Sequence, residues 1–290
     1  MGKACRDGGD FEVNPCQASW MSGHLSGPTG ASRHGIARVI SKLGIASRSE
    51  AARWVLAGRV AINGRVVRDP EHPVLQGRDR IRLDDRAVDV MARVYVMLNK
   101  PRGLVTTTND ERGRDTIYRC FDDHTLPWLA PVGRLDKASE GLLLLSNDPQ
   151  WAARITDPAV GIDKTYHVQI DRVPDPAWLQ RLLAGVDEGG ERLAAQSVRL
   201  LRAGTRNAWV EIVLDEGRNR QIRRLLAGND TRVLRLIRVA IGSLPLGDLA
   251  KGAWRMLTVE EVAALATAST PQERPAQLSC CHSGERRNPV

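Results

Sequence analysis

Apolar residues recur along this chain in short runs divided by polar turns, and the spacing inside each run sets the element it predicts. Four consecutive leucines at 142–145 follow a polar loop that carries Arg134 and Asp136 and closes at Gly141. So short a run predicts a strand buried on both faces, or else a buried helical turn. As a strand it anchors the preceding loop in the core, where a carboxylate is held rigidly yet faces a cleft. Alternation over 164–170 puts Tyr166, Val168 and Ile170 on the core face and Thr165, His167 and Gln169 on the other. Further strands are expected at 93–99, 104–108, 198–201, 209–214 and 233–240.

Helices are expected where apolar spacing widens and caps appear. Ser47 and Glu50 have capping-box spacing for a helix over 48–57, with Gly58 as its left-handed stop. A shorter helix precedes it at 36–43. Asn63-Gly64, between 60–62 and 65–67, is a strong hairpin signal because that turn needs positive φ twice. Asp148-Pro149 opens a helix to about 155. Others cover 178–183, the stretch holding Ile222, Leu225 and Leu226, and 259–266 behind the Thr258–Glu261 capping box. The fold class is therefore α+β, dominated by antiparallel pairs. Residues 1–32 and 268–290 lack periodicity and read as disordered tails. A small helix-helix-hairpin module occupies 33–90, with 69–93 as its polar end and linker. A mainly antiparallel-sheet domain follows over 93–267.

Charge changes the picture. The formal net charge is +8, and residues 33–68 hold eight Lys/Arg against Glu50 alone. A concentration of this kind attracts phosphate backbones. Cys5, Cys16, Cys280 and Cys281 lie in the tails, only Cys120 lies inside, and the six histidines are scattered. Neither a disulfide framework nor a metal site is expected. No apolar run approaches the ~18 residues of a membrane span and no signal-peptide core is present, so a cytoplasmic protein without membrane contact is expected. No phosphate-binding loop appears, so no nucleotide cofactor is expected.

The candidate chemistry starts at Asp136, which by local pattern serves equally as a turn cap or an arginine partner. Arg220, Arg223 and Arg224 share a helix flank beside a buried face, so at least one should meet a carboxylate. Tyr166 is the phenol best placed to line a cleft. His167 has no evident partner.

The sequence Ile45-Ala46-Ser47-Arg48-Ser49-Glu50-Ala51, followed by Gly58 to Gly64, resembles the S4-type RNA-binding module. On that resemblance Lys42, Arg48, Arg53, Arg59 and Arg65 become candidate phosphate contacts. Four further blocks resemble the RsuA-like family of rRNA pseudouridine synthases: Lys100-Pro101-Arg102-Gly103, then Gly133-Arg134-Leu135-Asp136 with Ser139-Glu140-Gly141, then Lys164-Thr165-Tyr166, then Glu216 to Arg224. The chain departs from that pattern at Asp157-Pro158, where His-Pro is usual, and at Gly242-Ser243, where Gly-Pro is usual.

The resemblance implies isomerisation of a uridine in ribosomal RNA, large-subunit rRNA favoured over small, by a monomer needing no cofactor. It makes Asp136 the essential carboxylate, acting as nucleophile or as the base that starts glycal formation. Arg223 would aim Asp136 and stabilise it as a buried pair. Tyr166 would stack on the base and assist the last proton loss. Arg134 would hold the nucleotide out of its helix, and Arg218 and Arg220 would contact RNA. The alternative is a non-catalytic RNA-binding or ribosome-assembly factor, which explains the basic module but not Asp136, Tyr166 and Arg223 together. A glycosidase is disfavoured because Glu140 is the nearest second acid.

Overall fold

A computed structural model describes residues 33–75, 77–88, 91–108, 110, 112–121 and 126–268. The two tails read as disordered, with four of the cysteines, lie outside the described residues; Ala268 is described and caps the last helix.

Strand β1 (His34–Gly35) leads into helices α1 (Ile36–Lys42) and α2 (Arg48–Leu56). The Ser47 hydroxyl accepts the Glu50 amide at 3.0 Å, but the Glu50 carboxylate turns to Arg53, so only half of the expected capping box forms. Gly58 follows at φ +73 as the expected stop. The hairpin of β2 (Val60–Ile62) and β3 (Arg65–Val67) turns at Asn63 and Gly64, φ 51 and 84. The stretch 69–93 is not simply a polar end and linker. It holds β4 (Pro73–Val74), β5 (Ile81–Leu83) and β6 (Arg86–Ala87), with β4 on β1 and β5 on β2. Strands of two or three residues are too short to show alternation. Ile36, Val39, Ile40, Val55, Val60 and Val74 are fully buried in this module's own core.

The larger body is one nine-stranded sheet with helices on both faces, beside a separate two-stranded ribbon. Its elements are β7 (Tyr95–Lys100), a 3-10 turn (Ile117–Phe121), β8 (Ala130–Val132), β9 (Glu140–Ser146), α3 (Pro149–Thr156) and β10 (Lys164–Ile170). Then come α4 (Pro176–Ala184), β11 (Val186–Glu188), β12 (Glu191–Leu193), β13 (Ser197–Ala203), β14 (Ala208–Leu214) and α5 (Gln221–Ala227). The chain continues through β15 (Val233–Ile241), β16 (Leu244–Pro245), β17 (Trp254–Met256) and α6 (Val259–Thr267). The order is β13-β14-β10-β15-β9-β7-β17, with β16 on β15 and β8 on β9. Only the β15–β9 pair in it is parallel, so the α+β, mainly antiparallel expectation holds.

The leucine run is a central strand. Leu143 and Leu145 pack with Trp178, Leu182 and Leu225 on one face, while Leu142 and Leu144 pack with Trp151, Ile155 and Leu265 on the other. Each buried leucine contributes about 1.5–3 kcal/mol. Gly141 sits at φ +100, where a Cβ would lie 2.2 Å from the Arg238 carbonyl oxygen, so only glycine lets β15 pair there.

Two expectations are corrected. Residues 104–108 form no strand, only a single bridge from Val105 to Thr116. Thr106 instead donates its hydroxyl to the Leu135 carbonyl at 2.7 Å and accepts the Leu135 amide at 3.3 Å, serving the Asp136 loop. His167 does have a partner: its Nε2 lies 3.3 Å from Glu211, directly across the β10–β14 ladder. Among the described residues no helix is long and apolar enough to cross a membrane.

Candidate active site

The loop that carries Asp136 is fixed from below. Lys100, at the end of β7, has no solvent exposure, and its Nζ donates to the carbonyls of Ser139 at 2.9 Å, Pro101 at 3.1 Å and Asp136 at 3.2 Å. The Ser139 amide also donates to the Asp136 carbonyl at 3.0 Å, and the Gly103 amide to that of Lys137 at 2.8 Å. Burial brings the Lys100 ammonium down to about 8, with Asp136 and Glu140 partly offsetting it. The Asp136 backbone is thus pinned while its side chain remains 37% exposed. It is not the buried carboxylate expected from sequence; the core claims its backbone and leaves the carboxylate at a cavity wall.

Two arginines flank that carboxylate. Arg220 Nη1 lies 3.5 Å and Arg223 Nε 3.9 Å from Asp136 Oδ2. Arg220, expected as an RNA contact and as one of three arginines on one flank of which at least one should meet a carboxylate, precedes α5 at φ 49, ψ 32, outside helical geometry. A left-handed non-glycine residue costs about 1–2 kcal/mol, and here it turns the guanidinium toward Asp136. Arg223 is largely buried. Burial, then neighbouring Arg220, draws it below the usual guanidinium range, with Asp136 acting in the opposite sense. Arg224 leaves the group and pairs with Glu188 and Glu191 at 2.8 and 2.7 Å. Glu216 sets the preceding turn, taking Arg218 Nε and Gln221 Nε2 at 2.7 Å each.

A cavity of about 500 Å³ opens beside Asp136. Arg134, Asp136, Tyr166, Arg218, Arg220 and Arg223 all line it, so six of the expected site residues converge from β10, α5 and two loops. Tyr166 is 8% exposed and stands opposite Arg238 in the β10–β15 ladder. Exposed Arg134 also lines two adjoining hollows, one beside Asp110, Arg112 and Lys137, the other reaching Arg48 and Trp128.

The five expected phosphate contacts of the basic module lie far from this cluster in sequence and none lines the cavity. Arg48 pairs with Glu71 at 3.0 Å, Arg53 with Glu50, and Arg59 with Asp84 while lying over Trp54. Lys42 and exposed Arg65 have no carboxylate partner among the described residues. Sequence reasoning missed Lys100, Gln221 and Arg238. An available signal for Arg238 was its inward phase with Leu236; Lys100, ending a strand buried on both faces, stood out only as the first residue of a block resembling the family, with no role attached.

Comparison with known proteins identifies the family. The family described as RNA pseudouridylate synthase matches residues 94–228, and the S4 domain matches 35–81. An uncharacterized RNA pseudouridine synthase of Aquifex aeolicus is 35% identical over 79% of this chain and 92% of that protein. Ribosomal large subunit pseudouridine synthase B of Bacillus subtilis is 34% identical over 78% and 92%. Ribosomal small subunit pseudouridine synthase A of Pseudomonas aeruginosa is 36% identical over 78% and 97%. A crystal structure of pseudouridylate synthase aligns with a TM-score of 0.57 at 31% identity, covering 80% of this chain and 99% of that one. With an RNA-binding S4 domain ahead of a sheet that gathers its polar residues around one cleft, the chain belongs to the RNA pseudouridylate synthase family, isomerases that act on uridine in RNA.

Proposed function

We propose that the substrate is a uridine in ribosomal RNA and that Asp136 is the carboxylate that acts on its ribose. The observation that carries this is the pinned Asp136, half-exposed between Arg220 and Arg223 at the wall of a cavity also lined by Tyr166. Isomerisation breaks the bond from N1 to C1′, turns the base, and joins C5 to C1′. Asp136 serves either as the nucleophile at C1′ or as the base that opens a glycal route.

The guanidinium pair orients the carboxylate and supplies positive potential for the RNA backbone. A stacked uridine cannot reach Asp136, so the nucleotide must leave its helix. Arg134, at the junction of three hollows, holds it out, and Tyr166 stacks on the base. The S4 domain adds salt-dependent grip on structured RNA. A factor that only binds RNA has no use for a carboxylate whose loop is held from beneath by three lysine hydrogen bonds to backbone carbonyls.

Large- and small-subunit rRNA transcripts, the large-subunit one first, incubated with the protein and mapped for pseudouridine test the assignment. Asp136→Asn is expected to leave melting temperature and RNA affinity unchanged and to abolish product. Pseudouridine formed by that variant would remove Asp136 from the chemistry.

A further inference from the structure

Arg238 is 6% exposed, lies on β15 and lines the same cavity as Tyr166 and Asp136. Its Nε donates to the Leu142 carbonyl at 2.7 Å, which fixes the stem of the guanidinium against the leucine strand. Its Nη2 is buried with no hydrogen-bond partner among the described residues. A buried cationic donor left without an acceptor is unfavourable, and in native structures such a group calls for an explanation in function.

The backbone points the same way. Thr165 stands opposite Ala240 but Tyr166 stands opposite Arg238, so Val239 is an extra residue in the ladder. A bulge of this kind re-aims the neighbouring side chains and is common beside active sites. On the other edge Arg238 is paired with Gly141, where any Cβ would collide with its backbone. The guanidinium is therefore positioned by two strands and aimed by a bulge, beside the phenol on which the base would stack.

We infer that Arg238 is a uracil-binding residue whose Nη2 donates to a ring carbonyl of the displaced base both before and after that base turns. The inference rests on the pseudouridylation reading above. When the N1–C1′ bond breaks, its electron pair stays on the uracil, and the charge spreads over N1 and the two carbonyl oxygens. A half-turn about the line from N3 to C6 exchanges N1 with C5 and, in the same motion, the C2 carbonyl with the C4 carbonyl. A fixed donor that held one carbonyl therefore meets the other after the turn. C5 then bonds to C1′ and loses its proton, while N1 takes one up, so the overall change is an isomerisation. Arg238 stabilises the base while it is detached and charged, where a charge-assisted bond is strongest. Cytosine fails this fit, because one of the two orientations presents an amino donor to a donor.

The test uses a synthetic stem-loop containing whichever uridine the wild-type protein modifies in rRNA transcripts. That uridine is replaced in turn by 2-thiouridine and 4-thiouridine, since sulfur is a weaker acceptor than oxygen. Single-turnover rates of the wild-type protein are expected to fall about three- to tenfold for each replacement. In Arg238→Met both penalties should disappear from an already slower reaction. Should that variant melt early, Arg238→Lys, which keeps a cation at the sheet, should show penalties changed from those of wild type. Thio penalties absent in wild type, or equal in wild type and variant, would overturn the inference while leaving the activity standing. Transcripts left without pseudouridine by the wild-type protein would instead overturn the activity, and the inference with it.

Discussion

Lys100 Nζ donates to the backbone carbonyl of Asp136 at 3.2 Å from a position with no solvent exposure. The carboxylate proposed to react is thus held through its main chain by a desolvated cation, while its side chain lines the cavity. An ammonium has three N–H groups for three carbonyls; the neutral amine has two.

The first prediction follows from that count. Lys100→Met should lose about 2–4 kcal/mol of stability at pH 7 by taking a donor from three carbonyls, of which only that of Asp136 keeps another, the Ser139 amide, among the bonds described above, and most activity with it. The Lys100 ammonium sits at about 8 in the folded chain, against about 10.4 when unfolded. Between those values the unfolded chain holds the extra proton, so this residue's contribution to stability rises with pH from about 8 to about 10.4. Melting curves across that range should show the rise in wild type and not in Lys100→Met. An identical pH dependence in the two proteins would refute the desolvated-lysine account.

Arg220 and Arg223 separate by their backbones. Arg223→Ala should reduce single-turnover rate at least tenfold yet cost only about 0.5–2 kcal/mol, because Asp136 is half-exposed and not left as a buried unpaired charge. Arg220→Gly should lower the rate but melt above Arg220→Ala, since glycine adopts φ 49 without strain. Equal melting points for the glycine and alanine variants would show that the left-handed turn stores no strain.

Much of this site was legible because its signals were periodic or local. The four leucines announced a buried segment, strand or helical turn, alternation over 164–170 put Tyr166 inside, and Asn63-Gly64 and Asp148-Pro149 named their turn and cap. Arg220 was misread because regular helix spacing was extended across a residue that is left-handed. The parts played by Lys100 and Arg238 were not legible for another reason, although Arg238 shares the inward phase of Leu236. Their roles come from backbone carbonyls and a ladder bulge contributed by segments 36 and 72 or more residues away, and no local pattern encodes such meetings.

Glu140, next to the glycine that seats β15, is 3% exposed and takes Arg235 at 2.8 and 3.0 Å and Lys251 at 2.5 Å. Burial alone would lift this carboxyl, but the bonds from Arg235 and Lys251 outweigh it and hold it below its usual value. A depressed carboxyl contributes stability above its unfolded value of about 4.3, lost as pH falls through the folded one. Glu140→Gln should therefore cost about 1–3 kcal/mol at pH 7, with the gap to wild type closing below about pH 4. A gap that stays constant from pH 7 to pH 3.5 would rule out this ion cluster as its source.

The basic module's charge is partly spent inside the protein, and that sorts its cations. Arg48, Arg53 and Arg59 already face Glu71, Glu50 and Asp84, two of those acids lying beyond the basic segment itself. Removing such an arginine frees a carboxylate as well as deleting a cation, so its effect on RNA affinity mixes lost attraction with new repulsion. Arg65 is exposed and carries no such partner among the described residues, so its removal tests phosphate contact cleanly. Each phosphate neutralised contributes roughly 0.7–0.9 to the slope of log affinity against log salt. Arg65→Ala should flatten that slope by about one such unit and weaken binding similarly for cognate and unrelated RNA. With Arg59→Glu, which sets a second acid beside Asp84, the affinity loss should be larger than with Arg59→Ala. A salt slope unchanged by Arg65→Ala would mean that the hairpin tip faces away from the RNA, and the gripping surface would then belong to α1 and α2.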